Sequence, residues 1–135
     1  NTLGDLGIGS IAFTPLAQGL LTDKYLRGVP AHSRATQAKS LDKEKITSEL
    51  VENLNALNEI ARDRGQTLAQ MALAWVLRGD RVTTALIGAS SPQQVVDCAG
   101  AIDNLSFTDI ELAEIDKLSG DIGINLWARS SEIEE

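Results

Sequence analysis

Hydrophobic positions recur along the chain in two rhythms. Leu50, Leu54, Leu57, Ile60 and Ala61 follow one another at spacings of four, three, three and one. This puts them on one face of an amphipathic helix predicted over 47–64. Gly65 then stands where a C-terminal cap belongs. A second helix is predicted from about Thr67 to Arg78, with Met71, Ala72, Trp75 and Val76 as its apolar stripe and Gly79 as its stop. On this pattern Trp75 is a core residue. Two short runs lack the helical period. Residues 8–14 and 82–87 are apolar and β-branched and are bounded by Gly or Pro, which predicts two buried strands.

Local signals place the remaining elements. Ser91 suits an N-cap, Pro92 the first helical position, and Gln94 the third position of a capping box, for a helix running to about Asp103. Thr108 and Glu111 form a second box that opens a helix to about Leu118. Residues 16–21 read as a small-residue turn containing Gly19, and 22–45 as a polar loop broken by Gly28, Pro30 and Ser33. Residues 120–135 read as a tail with a lone Trp127 and an acidic end at 132–135. Strands alternating with helices imply βα units, parallel pairing and an α/β fold. Two strands alone cannot close a parallel sheet, whose faces and edges must all be covered, so the pattern points to part of a larger fold.

Composition narrows the function classes. The 135 residues amount to one ordinary domain, with 43% hydrophobic and 23% charged residues. The longest apolar run, Met71 to Leu77, is far below the ~18 residues of a membrane span. The first nine residues have neither a basic flank nor an apolar core, and they read like the middle of a domain. The net charge is −7, and no basic stripe offers a surface for nucleic acid or anionic membrane. The single cysteine, Cys98, cannot form an internal disulfide, which fits a cytoplasmic location. One Cys and one His, His32, do not make a Cys/His metal cage.

Two strand ends carry candidate chemistry. After the first come Phe13, Thr14, Pro15, Leu16, Ala17, Gln18 and Gly19, a turn of small residues able to present backbone N–H groups to a phosphate. It fits an ordinary βα connection equally well. After the second come Gly88, Ala89, Ser90 and a capped helix start, whose free N–H groups and dipole favour an anion. That also fits a plain capped helix.

Together these two stretches resemble the aldo-keto reductase family. Residues 13–25 look like its seventh barrel strand and the loop that follows, and residues 86–97 like its eighth strand and helix. The similarity extends through 64–77 and 124–128, so it covers essentially the whole chain in order. The most similar branch holds bacterial glyceraldehyde-3-phosphate reductases and potassium-channel β subunits. The resemblance implies the C-terminal part of a (β/α)8 TIM barrel: the last two βα units in 1–119 and a tail in 120–135. A whole barrel needs about 250 residues, so roughly two hundred more are expected on the N-terminal side.

Roles follow by position. Phe13 matches the aromatic residue stacked under the nicotinamide ring of NADP(H), and Thr14 to Gly19 match the loop at the ribose and pyrophosphate. Lys24 matches a basic residue near the phosphates, His32 a position near the adenine, and Arg34 the arginine at the adenosine 2′-phosphate, where a charged fork suits phosphate geometry. Gly88, Ser90 and Gln94 match contacts at the adenosine phosphate end. Asp97 and Cys98 stand where the family has Glu and Asn, which grip the adenine. Asp97 is one methylene shorter than Glu, and Cys98 is a poor hydrogen-bonding substitute for Asn. Trp127 matches a tail position that touches a small carbonyl substrate. Without the resemblance, Lys24, His32 and Arg34 read as solvated loop residues.

The family's catalytic Asp, Tyr, Lys and His lie in motifs that this sequence does not contain, and Tyr25 matches a loop position. The expected function is therefore carbonyl reduction by a longer parent, with this chain supplying most of the cofactor site. The competing readings are a non-catalytic regulatory module, like the channel β subunits, and a half-barrel that covers its open edges as a homo-oligomer.

Overall fold

The computed structural model describes residues 2–26, 46–79 and 81–119. In chain order its elements are α1 (Thr2–Asp5), β1 (Ile11–Phe13), α2 (Ser48–Asp63), α3 (Leu68–Leu77), β2 (Thr84–Leu86), α4 (Pro92–Ala99) and α5 (Asp109–Leu118). Short 3-10 turns occupy Ala17–Gly19, Asp23–Tyr25 and Gly100–Asp103. The expected α/β order is present, as part of a (β/α)8 barrel requires. The short α1 has no counterpart in the hydrophobic pattern.

Helix boundaries follow their caps. Thr47 accepts the Leu50 N–H at 3.1 Å and starts α2. At its end Gly65 takes φ +70°, a left-handed conformation that disfavours side chains. The Gly65 N–H reaches the Arg62 carbonyl at 2.9 Å and the Gln66 N–H reaches Ala61 at 2.8 Å, the paired bonds of a Schellman cap. Thr67 and Gln70 close a capping box on α3, and Thr108 and Glu111 close the expected one on α5. Helix α3 ends at Leu77 with Arg78 as C-cap, and Gly79 lies just beyond.

The two strands pair in parallel, Ile11 with Thr84, Ala12 with Ala85 and Phe13 with Leu86. Below them the Ser10 carbonyl accepts the Thr83 and Thr84 N–H groups at 2.9 and 3.2 Å. The approach is close at Gly9, where a Cβ would sit 3.0 Å from Thr83 Oγ1 and the threonine side chain would have to give way. The strands are shorter than the apolar runs predicted, and they are not buried. Ala12 and Ala85 are half-buried, whereas Ile11, Phe13 and Leu86 are exposed. Alternate strand residues point to opposite faces, and the half-buried Ala12 and Ala85 share one face while the exposed residues share the other.

The core lies between helices rather than against the sheet. Leu50, Leu54, Leu57 and Ala61 of α2 meet Leu68 and Met71 of α3, Ile115 of α5 and Leu20 from the loop after β1. Trp75 packs half-buried against this cluster, with its ring under Arg78 at 3.8 Å and its buried indole N–H without a partner among the described residues.

One charged group is built into the junction of the helices. The Arg64 side chain is only 4% exposed. Its guanidinium donates to Glu111 Oε1 at 3.0 Å, to Gln66 Oε1 at 3.0 Å and to the Asn104 carbonyl at 3.4 Å. It also lies 3.7 Å from the centre of the Phe107 ring. Glu111 meanwhile accepts the Thr108 N–H at 2.6 Å and the Thr108 hydroxyl at 2.9 Å. These Thr108 bonds, chiefly the backbone one, together with Arg64 hold its carboxyl below the usual glutamate range.

Two predictions follow. Leu54 is 1% exposed, so Leu54→Ala should cost about 2–5 kcal/mol in urea or thermal melts, while Ile110→Ala, at a position 74% exposed, should stay within about 0.5 kcal/mol. The Glu111 contribution is complete above the unfolded-state pKa, about 4.3, and is lost as pH falls through the lower folded value. Glu111→Gln should therefore flatten the acid limb of a stability-versus-pH curve; an unchanged limb would refute the assignment.

Candidate functional site

Parallel register puts the two strand ends side by side. Phe13 pairs with Leu86, so the turn after β1 and the segment leading to α4 leave the same edge of the sheet. Ligands of parallel α/β folds bind at such an edge. Phe13 stands there 56% exposed.

The turn after β1 is tightly wound. Thr14 has φ +55°, Ala17 φ +46° and Gly19 φ +94°. Left-handed backbone is unfavourable for Ala and more so for β-branched Thr. Each such residue costs roughly 1–3 kcal/mol and needs surrounding structure to hold it. Here the holding is local. The Ala17 N–H reaches the Thr14 carbonyl at 3.0 Å, Gly19 reaches Leu16 at 2.9 Å, and Leu21 also reaches Leu16 at 3.2 Å. Leu20 anchors the turn in the core. The Leu16 N–H meets no acceptor among the described residues. Pro15 and Leu16 are half-buried and frame the turn. Thr22 bonds back to the Gly19 carbonyl at 2.6 Å and caps the next 3-10 turn through the Lys24 N–H at 3.4 Å. Lys24 is exposed and makes no ion pair among the described residues.

The second segment differs from its sequence reading in one bond. Ser91 is the N-cap, accepting the Gln94 N–H at 3.3 Å, and Pro92 opens the helix. The Gln94 side chain does not return to the Ser91 amide, so the expected capping box is only half formed. Gln94 Oε1 instead accepts the Ser90 N–H at 2.7 Å and the Ser90 hydroxyl at 3.1 Å. Two donors on one residue outbid the single cap amide. The bond fixes the orientation of the amide: its oxygen faces Ser90, and its NH2 meets no acceptor among the described residues. The Gln93 N–H likewise meets no acceptor among the described residues, so the helix start presents donors. Gly88 precedes this start in exposed chain.

Further along α4, Asp97 Oδ1 accepts from Gln93 Nε2 at 2.8 Å, which turns the carboxylate back along its own helix. Cys98 is half-buried, and its thiol is pushed up by that burial and then by the Asp97 charge, so it stays protonated at neutral pH. The structure thus brings Ser90 and Gln94 into contact and sets Phe13 and Thr14 at the same edge. His32, Arg34 and Trp127 lie outside the described residues, as does the side chain of Gln18. Sequence reasoning missed Leu20 as the anchor and Gln70 as a contact of Asp97. The Thr67–Gln70 spacing carries the signal for the latter's cap, though not for its second bond.

A shallow groove of about 540 Å³ lies elsewhere, between Leu77, Arg78 and Gly79 at the end of α3 and Leu105, Ser106 and Phe107 before α5. Among the described residues no group of His, Cys, Asp and Glu could hold a metal ion, and no helix is long and apolar enough to cross a membrane.

A model described as "Aldo/keto reductase family" matches residues 1–120. The chain is 48% identical over 136 aligned residues to the L-glyceraldehyde 3-phosphate reductase of Escherichia coli strain K12, and 46% identical to the protein of that name in Escherichia coli O157:H7. Each comparison covers 98% of this chain and 39% of the relative, so the chain spans about two-fifths of the length of the proteins it matches.

The strained turn makes its own prediction. Ala17→Gly removes the left-handed penalty of ~1–2 kcal/mol and adds unfolded-state entropy of about 0.4–1 kcal/mol, so it should leave stability unchanged or raise it by up to ~1.6 kcal/mol. A clear fall in the melting midpoint would show that Ala17 is not left-handed in solution.

Proposed function

Because the chain belongs to the aldo/keto reductase family, we propose that it forms the cofactor-binding part of an NADP(H)-dependent reductase of aldehydes or ketones. The observation that carries this reading is the shared sheet edge, where an exposed aromatic ring, a strained turn and a donor-rich helix start come together. These groups fit a dinucleotide. The flat face of Phe13 suits a nicotinamide ring. The turn from Thr14 to Gly19 lies where ribose and pyrophosphate would follow, with the Leu16 N–H and the Lys24 cation as partners for phosphate oxygens. At the start of α4, Ser90, the Gln94 amide and the open Gln93 N–H suit the phosphate on the adenosine side. Gly88 leaves room for a close backbone approach, since nothing lies within 4 Å of where its Cβ would be. Arg34 is assigned to the 2′-phosphate and His32 to the adenine, and Trp127 to the substrate.

The adenine end fits less well. The Asp97 carboxylate is engaged by Gln93, and Cys98 offers a neutral thiol in a half-buried place. Affinity there rests on the phosphate contacts. When bound, the dinucleotide supplies a hydride to a carbonyl carbon, and the carbonyl oxygen takes up a proton to give the alcohol. No proton donor for that step is assigned within this chain, whose single tyrosine, Tyr25, is placed in the loop after β1. The names of the two relatives support a small phosphorylated aldehyde as substrate of the whole protein.

Calorimetric titration of NADPH into the chain tests the reading. Saturable binding is expected, weaker for NADH and weakened by Gln94→Ala. Mixing with NADPH and glyceraldehyde 3-phosphate should give no loss of NADPH absorbance. Absence of saturable binding would overturn the assignment of the site, and steady turnover would overturn the assignment of catalysis to other residues.

A further inference from the structure

We infer that Gln70 is a positioning residue for α4, holding the helix that carries Ser90, Gln94 and Asp97 in its place. The inference rests on the cofactor reading above. Gln70 is the third residue of α3, and both ends of its amide are used. Its Oε1 accepts the Thr67 N–H at 2.9 Å, which completes the cap of α3. Its Nε2 donates to the Asp97 carbonyl at 2.8 Å, 27 residues away.

That carbonyl is one of the last four of α4, where the helix has no partner of its own to offer and tightens into the 3-10 turn at Gly100–Asp103. Gly100 makes room for the tether. A Cβ at Gly100 would lie 2.7 Å from Gln70 Nε2, closer than real Cβ contacts allow.

The tether joins the packing of α4 on α3 and the buried Ala101 of the 3-10 turn that follows it. No residue of α4 is buried, and Val95 and Val96 face outward. A helix without buried side chains takes its position from its ends and from polar contacts. The Ser90–Gln94 bonds are local to the start of the helix, whereas Gln70 ties Asp97 to a different element. Eight helical residues span only about 12 Å, so a shift at Asp97 is passed to Gln94.

The cap and the tether can be separated. Gln70→Glu keeps an oxygen for the Thr67 N–H but loses the donor to Asp97 and sets a carboxylate against its carbonyl. Gly100→Ala displaces the same amide from the other side and leaves Gln70 itself unchanged. Thr67→Ala weakens the cap and leaves the tether. NADPH is titrated into the wild-type chain and each variant, with thermal melts in parallel. Gln70→Glu and Gly100→Ala should weaken NADPH binding roughly three- to tenfold, the worth of one hydrogen bond. Thr67→Ala should lower the melting temperature while leaving affinity within about twofold. Wild-type affinity in both Gln70→Glu and Gly100→Ala overturns the inference alone. So does a loss in Thr67→Ala equal to that in Gln70→Glu, since general loosening of α3 would then explain both. A wild-type chain that fails to bind NADPH overturns the cofactor reading and this inference with it.

Discussion

A single guanidinium sets the frame of this chain. Arg64 is enclosed where α2 ends, and a buried charge is tolerated only when its donors are matched. The matching groups come from different parts of the sequence: Gln66 next to it, Asn104 and Phe107 from the connection to α5, and Glu111 from the first turn of α5. Planar geometry lets one face meet an aromatic ring while the edge donates hydrogen bonds, which a lysine could not reproduce. Glu111 is already committed to Thr108, so the ion pair also fixes where α5 begins. Through the Schellman turn at Gly65, the same cluster sets the start of α3. From there Gln70 reaches the Asp97 carbonyl of α4.

The strained turn shows how such a frame is used. Thr14 and Ala17 sit in backbone conformations that cost roughly 1–3 kcal/mol each. Burying one leucine side chain returns about 1.5–3 kcal/mol, and Leu20, one residue after the turn, is fully buried among the helices. Helical packing thus holds a loop shape that the loop sequence would not adopt alone. The sheet, whose strand residues are exposed or half-buried, contributes register rather than burial.

Much of this architecture was legible in the sequence, and the exceptions have physical causes. The boundaries of α2 and α3 were readable from the apolar period and the glycines that follow, and those of α5 from the Thr108–Glu111 capping box. The parallel pairing followed from the alternation of elements. The strands came out shorter and more exposed, because a run such as 8–14 records an apolar face without recording what covers it. Gln94 was read as a capping-box residue from its spacing to Ser91. Spacing cannot choose between the donors of Ser90 and Ser91, and the pair on Ser90 wins. Gln70 and Arg64 look like ordinary helix-end polar residues in a linear reading, since their partners lie 27 and 47 positions away. His32, Arg34 and Trp127, named from resemblance, lie outside the described residues.

A helix that buries none of its own side chains has an evolutionary consequence. Its outward positions, Val95 and Val96 among them, can drift without opening a cavity. Asp97 and Cys98 lie on the same helix, in exposed and half-buried places. Surface change on this helix is thereby uncoupled from folding: substitutions can explore new side chains one at a time, while the stability threshold is guarded by residues on α2, α3 and α5.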